Sequence, residues 1–193
     1  MHLHGLTIAE FLATRPSADS LRADSQAVVL AIASACKTIA ETLGQGALSG
    51  MLGNAGSTNI HGEAQKKLDV LANDWFIQSL RATGCVAAAV SEEMADARRF
   101  PDTAIGDSHA VLFDPLDGSN NIEINGILGS IFSILRLPPT AKAFDERLLL
   151  QPGRRQICAG YALYDMVRPP CWCWPTYAAS MVLPWSGNAT SSC

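Results

Sequence analysis

No uninterrupted run of about eighteen apolar residues occurs in the 193-residue chain, so a membrane-spanning helix is not expected. Nor is there a Lys- or Arg-rich block. With a formal net charge of −4, the chain offers no electrostatic footprint for nucleic acid or an anionic membrane. The opening "MHLHGLTIAEFLATRP" lacks the basic start, long apolar segment and small-residue cleavage site of a secretory leader, and the chain reads as cytoplasmic. Its cysteines, Cys36, Cys85, Cys158, Cys171, Cys173 and Cys193, form no CxxC pair and no disulfide framework, and reduced, mostly buried thiols are expected. His2, His4, His61 and His109 lack metal-ligand spacing. Internal repeats and low-complexity segments are absent too.

What is there suffices for a core. The chain is 48% hydrophobic, enough for one domain or two small ones. Val28, Leu30, Ile32, Ala35, Ile39 and Leu43 recur at helical spacing, predicting a helix over 24–43 with Asp24 or Ser25 as its cap. "GQGALSGMLGNAGSTNIHG" has neither period and reads as a long loop. From Glu63 a second helical face runs through Leu68, Leu71, Trp75, Ile77 and Leu80 to about Thr83, with Gly84 placed to end it. Short apolar runs at 85–90, 109–113, 130–135 and 157–164 read as strands. Helices followed by strands make an α/β layered domain.

Two acidic clusters follow these strands, Glu92-Glu93 after "CVAAAVS" and Asp114 with Asp117 after "AVLF". Alone, each is an ordinary solvated turn or helix cap. In an α/β sheet, however, ligands gather at the carboxyl ends of strands, and both clusters would meet there if the strands lie side by side. Pro115 fixes a turn in which Asp114, the Leu116 carbonyl and Asp117 can face one point, a donor set suited to Mg²⁺. Gly118, Ser119 and Asn120 then offer a nest of amides for a phosphate. Asp69 sits among Leu68, Val70 and Leu71, where a carboxylate is either partnered or functional; Glu63 alone would be a helix N-terminal charge.

"FDPLDGSNNIEIN…GSIFSILR", with "NAGSTNIHGEAQKKLDVLAND", "VSEE" and "LLQPGRRQICAGYALY", closely resembles the class I fructose-1,6-bisphosphatases over about Leu6 to Tyr164. The resemblance implies the N-terminal α/β half, residues 1–164, of a layered αβαβα sugar-phosphatase fold. It implies hydrolysis of the 1-phosphate of fructose 1,6-bisphosphate to fructose 6-phosphate, in gluconeogenesis or the Calvin cycle. Two or more Mg²⁺ ions, with Mn²⁺ as a substitute, would be held by Glu92, Asp114, the Leu116 carbonyl, Asp117 and Glu63. Asp117, Gly118, Ser119 and Asn120 would meet the phosphate, and Asp69 and Glu93 would deprotonate the attacking water. A homo-oligomer, tetrameric in the family, is implied for full-length members.

The sequence departs from the family pattern in places. Asn120 stands where Ser is usual and Glu123 where Asp is usual, which implies weakened recognition. "LRADSQ" replaces a T-G-E helix entry and Ser108-His109 replaces Lys-Tyr, which argues against the family's AMP control. Beyond Tyr164 the resemblance stops. The tail 165–193 holds three of the four Trp, and Pro169, Pro170, Pro175 and Pro184 would interrupt any element laid over it. Back-translated with permissible codons and shifted by two nucleotides after Asp165, it allows a family-like continuation. It therefore reads as a frameshifted, unstructured or poorly packed end; an in-frame gene read through Cys193 with no family-like alternative frame would refute that. The chain is expected to be impaired or inactive as a phosphatase, leaving apolar surface exposed. Competing identities are a sedoheptulose-bisphosphatase, an inositol-phosphate phosphatase, or a non-catalytic metal-binding fragment.

Overall fold

The computed structural model describes residues 7–13, 22–48, 58–119, 121, 126–164, 171–176 and 179–184. Three helices come first: α1 (Ile8–Ala13), α2 (Ala23–Leu48) and α3 (Thr58–Ala82). Seven strands follow: β1 (Val86–Ser91), β2 (Arg98–Arg99), β3 (His109–Asp117), β4 (Leu128–Arg136), β5 (Gln156–Tyr164), β6 (Cys171–Thr176) and β7 (Ala179–Pro184). They form one mixed sheet in the order β2-β1-β3-β4-β5-β6-β7. β1 and β3 are parallel, β2 is antiparallel to β1, and β3 to β7 run as an antiparallel meander.

Local chemistry accounts for the helix ends. Thr7 and Glu10 form a reciprocal capping box on α1, the Glu10 amide donating to Thr7 Oγ1 at 3.2 Å while Glu10 Oε2 accepts from the Thr7 amide at 2.7 Å. α3 closes where Gly84 takes a left-handed φ of 63°, a conformation free of cost only without a Cβ. α2 is longer than its hydrophobic period implies. It continues across Gly44 and Gly46 to Leu48, and α3 begins at Thr58, so the "GQGALSG…HG" segment is largely helical at both ends. A glycine costs a helix interior only about 1 kcal/mol, less than burial of the rest of the helix returns. Residues 49–57 of that expected loop lie outside the described residues.

Helix α2 also has, by length and composition, enough apolar character to cross a membrane, with a mean hydropathy of 1.5 over its best stretch. The uninterrupted apolar run is missing, but the average is high. In the fold its Val28, Val29, Ile32, Ala35, Cys36, Ile39 and Leu43 are buried in the main core. That core lies between α2, α3 and one face of the sheet, where Leu68, Ala72, Phe76 and Leu80 of α3 meet Val111 and Phe113 of β3 and Phe132 and Ile134 of β4. Phe76 stacks on Phe113 with ring centroids 4.6 Å apart, docking α3 on β3. The other face carries a smaller cluster, in which Ala87, Ala110 and Leu137 lie beneath Ile105, Phe144, Leu148 and Leu149. Farther along that face, the register partners Ile131 and Tyr161 are 48% and 37% exposed.

Within the tail, residues 171–176 and 179–184 are strands that extend the sheet. Pro175 is accommodated because β5 pairs with β6 only over Cys171–Cys173, leaving the Pro175 position with a ladder neighbour, Ser180, on one side only. Residues 165–170 and 185–193 are outside the described residues.

At the start of β3 a polar cluster fastens α2 to the sheet. His109, fully buried, places Nδ1 3.1 Å from the Cys85 carbonyl and Nε2 2.9 Å from Ser25 Oγ. The carbonyl can only accept, so Nδ1 carries the proton and Nε2 accepts from Ser25. Arg136 donates to Ser25 Oγ at 3.0 Å and pairs with Asp24 and Asp107, each at 3.2 Å; Arg22 reaches Asp107 at 3.3 Å. Asp24 and Ser25 therefore serve this cluster, inside the first turn of a helix that starts at Ala23, instead of acting as its expected cap.

Burial pushes the His109 pKa down; the Cys85 hydrogen bond opposes this, and the Arg136 charge adds to it. Its contribution to stability is present above the unfolded value, near 6.5, and is lost as pH falls toward the lower folded value. The urea midpoint should drop between pH 7.5 and 5.5, and His109→Gln should shrink that drop. An equal drop in the variant would place the acid sensitivity elsewhere.

Candidate active site

Parallel pairing of β1 and β3 puts their carboxyl ends on the same edge of the sheet. Glu92 and Glu93 leave β1 there, the Glu92 amide donating to the Phe113 carbonyl at 3.0 Å, while Asp114 and Asp117 close β3. α3, docked through Phe76, brings Asp69 to the same place. Asp69 feels the charges of Asp114 and Glu92, Glu93 those of Asp69, Glu92 and Asp114, and Asp114 those of Asp117 and Glu92. Thus the structure brings together Asp69, Glu92, Glu93, Asp114 and Asp117. Glu63 lies in the first turns of α3, but its side chain is outside the described residues, as are Asn120 and Glu123.

The loop geometry follows from a bulge. β3 and β4 pair regularly up to Asp114 opposite Ile131, and the register then shifts so that Asp117 stands opposite Gly129. Pro115 and Leu116 are the extra length on β3, and such bulges re-aim side chains beside active sites. Asp114 Oδ1 accepts from the Leu116 amide at 3.1 Å, closing an Asx turn. Gly118 follows at φ 77°, with an added Cβ only 3.1 Å from Asn121 Nδ2, so a side chain there would be both strained and crowded. Asn121 then holds the far side of the loop: its amide reaches the Gly118 carbonyl at 2.7 Å, its carbonyl accepts from Gly126 at 2.9 Å and its Nδ2 donates to the Ile127 carbonyl at 3.2 Å.

Burial pushes the Asp69 pKa up, the Ser119 hydrogen bond opposes it, and the Asp114 and Glu92 charges add to it. Glu93 is raised by burial and then by Asp69, Glu92 and Asp114. Asp114 is raised by burial and by Asp117 and Glu92, against the pull of the Leu116 amide. Among the described residues, Asp69 Oδ1 is buried with no hydrogen-bond partner. A buried carboxylate oxygen without a donor, amid like charges, fits a cation better than it fits an empty pocket. Among the described residues, no three Asp, Glu, His or Cys side chains come together as a finished cation-binding group. The donor chemistry of the carboxylates gathered here is all hard oxygen, which fits Mg²⁺ or Mn²⁺.

Sequence reasoning missed Asn121 and Ser130. Asn121 was hidden in an Asn-Asn pair whose first member attracted the phosphate role. Ser130 donates to the Pro115 carbonyl at 2.6 Å, a contact 15 residues distant in sequence that no local pattern signals.

A mixed sheet with two helices on one face and carboxylates gathered at the ends of parallel strands defines an α/β protein with an acidic cluster at one sheet edge. Residues 6–167 match the family model for the fructose-1,6-bisphosphatase N-terminal domain, and the chain belongs to that family. The fold is similar to Leishmania major fructose-1,6-bisphosphatase in its holo form, at 26% identity and TM-score 0.75, covering 94% of this chain and 54% of that one. The T-state form of the same enzyme aligns at 26% identity and TM-score 0.73, over 95% of this chain and 54% of that one. The chain thus spans about half the length of these solved relatives.

Proposed function

We propose that this chain carries the cation- and phosphate-binding half of a phosphatase that hydrolyses the 1-phosphate of fructose 1,6-bisphosphate to fructose 6-phosphate, and that by itself it is impaired or inactive. The observation behind this reading is the clustering of Asp69, Glu93 and Asp114, each held above its usual carboxylate range, beside the Gly118–Ser119 turn. Such a cluster costs stability unless a cation and an anion complete it.

Glu92, Asp114, the Leu116 carbonyl and Asp117, with Glu63 farther out, would hold Mg²⁺ or Mn²⁺. When bound, the ions supply Lewis-acid neutralisation of phosphate charge and a more acidic water. Gly118, Ser119 and Asn120, with Asp117, would orient the phosphate. Asp69 and Glu93 take the proton from the water whose oxygen attacks phosphorus as the sugar oxygen leaves. Their raised pKa values bring them nearer to neutrality, where a general base works best. Ser119 fixes the Asp69 carboxylate through its hydrogen bond. The sugar-phosphate pocket and the tetrameric assembly are proposed for the longer protein only.

Two alternatives keep the same cluster. A sedoheptulose bisphosphate or an inositol phosphate could be the substrate, or the carboxylate cluster could bind a cation without catalysis. Mn²⁺ binding, followed by electron paramagnetic resonance, and phosphate release from the three substrates test these readings together. Binding with little or no release is expected. Robust release from fructose 1,6-bisphosphate would overturn the impairment, release from another substrate alone would overturn the specificity, and absence of Mn²⁺ binding would overturn the site.

A further inference from the structure

Behind the carboxylate loop lies a buried polar chain that the functional reading does not use. Ser130 on β4 is fully buried, and Tyr164 on β5 and Cys36 on α2 are 2% and 1% exposed. Ser130 Oγ lies 2.6 Å from the Pro115 carbonyl and 2.5 Å from the Tyr164 hydroxyl. The Cys36 thiol is buried beside the Tyr164 hydroxyl.

The direction of this chain is determined at one end. A carbonyl cannot donate, so the Ser130 proton goes to Pro115. Tyr164 must then donate to Ser130. Two side chains from two strands thus point their hydrogens, one after the other, at a single backbone oxygen in the active-site loop.

That oxygen belongs to the bulge. Ser130 sits in β4 between Gly129 and Ile131, the partners of Asp117 and Asp114, and so faces the two residues of β3 that the ladder skips. Its hydroxyl supplies a hydrogen bond to the Pro115 carbonyl inside the stretch where the register shifts. Removing it takes away a contact that ties the bulge to β4.

We propose that Ser130 is a positioning residue, its hydroxyl holding the Pro115 carbonyl so that the bulge aims Asp114, the Leu116 carbonyl and Asp117 at one point, with Tyr164 orienting that hydroxyl. The cation part rests on the reading of the site given above; the positioning part rests on the bulge alone.

Ser130→Ala, Ser130→Thr and Tyr164→Phe, each in the full chain, test it by two readouts. One is Mn²⁺ affinity by electron paramagnetic resonance; the other is hydrogen exchange at the Leu116 amide, whose partner is Asp114 Oδ1. Ser130→Ala should weaken Mn²⁺ about tenfold to a hundredfold, the cost typical of lost outer-shell support, and speed Leu116 exchange by about tenfold. Ser130→Thr should restore both, and Tyr164→Phe should fall between.

A merely structural Ser130 would lower the melting temperature and leave the affinity of the folded chain and the Leu116 exchange unchanged, which would overturn the proposal. Failure of Ser130→Thr to rescue would overturn the role of the hydroxyl. If the unaltered chain binds no Mn²⁺, the cation reading falls, and exchange at Leu116 still decides whether Ser130 holds the bulge.

Discussion

Asp114→Asn should weaken Mn²⁺ binding by at least about a hundredfold while making the cation-free chain more stable by about 2 to 4 °C at pH 7.5. The two effects have one cause. Asp114 is half-buried and faces Asp117 and Glu92, so without a cation its charge is a repulsion in a poorly solvated place, and its pKa is raised. Asn keeps the Oδ1 that accepts from the Leu116 amide at 3.1 Å, so the turn survives while the charge goes.

The pH dependence of the gain follows from the direction of the shift. For a carboxylate whose folded pKa lies above its unfolded value of 3.8, the unfolded chain releases its proton first, and rising pH through that interval favours unfolding. The advantage of Asp114→Asn should therefore be full above the folded pKa and vanish below about pH 4. Melting curves with and without Mn²⁺ at the two pH values check this. Native Mn²⁺ affinity in the variant would remove Asp114 from the cation site, and a lower melting temperature at pH 7.5 would show that its charge is satisfied within the chain.

Phe76→Ala is expected to cost about 3 to 5 kcal/mol, enough to unfold a large share of a chain of ordinary stability. Phe76 is fully buried and its ring lies on Phe113, with planes within 10° of parallel. Truncation leaves a cavity between α3 and β3 that neither long element can close by a small shift. The same contact holds Asp69, two helical turns earlier on α3, against the end of the strand that carries Asp114. Phe76→Leu, which refills most of the volume, should recover most of the stability. Urea denaturation measures the loss, and a cost below about 1 kcal/mol would mean that α3 is docked by its other contacts.

How much of this was legible in the chain depends on the range of the interaction. The helical face from Leu68 to Leu80, the stop at Gly84 and the apolar runs at 85–90 and 109–113, found as strands at 86–91 and 109–117, follow from side-chain period and backbone freedom, which act within a few residues. The far end of α2 and the start of α3 did not: a long helix packed along one face tolerates Gly44 and Gly46, which a local reading takes as a break. β6 and β7 were likewise hidden: prolines argue against strands wherever both sides are paired, and only the sheet shows that Pro175 sits where β6 is paired on one side.

The carboxylates at Asp69, Glu92, Glu93, Asp114 and Asp117 were readable as candidates because their residue types and spacing are local facts. Their meeting was not, since it depends on β1 lying parallel to β3 and on Phe76 seating α3 above them. His109, read from sequence as lacking any ligand spacing, becomes a buried acceptor held by Ser25, 84 residues away. Ser130 becomes the donor that holds the Pro115 bulge.

By itself the sequence determined the segments, the family and the residue types able to do the chemistry, because period, turn preference and motif are written in neighbouring residues. Tertiary structure alone decided which carboxylates repel one another, which donors fill the bulge and which face of the sheet stays bare, because burial and charge act between groups that the chain keeps far apart.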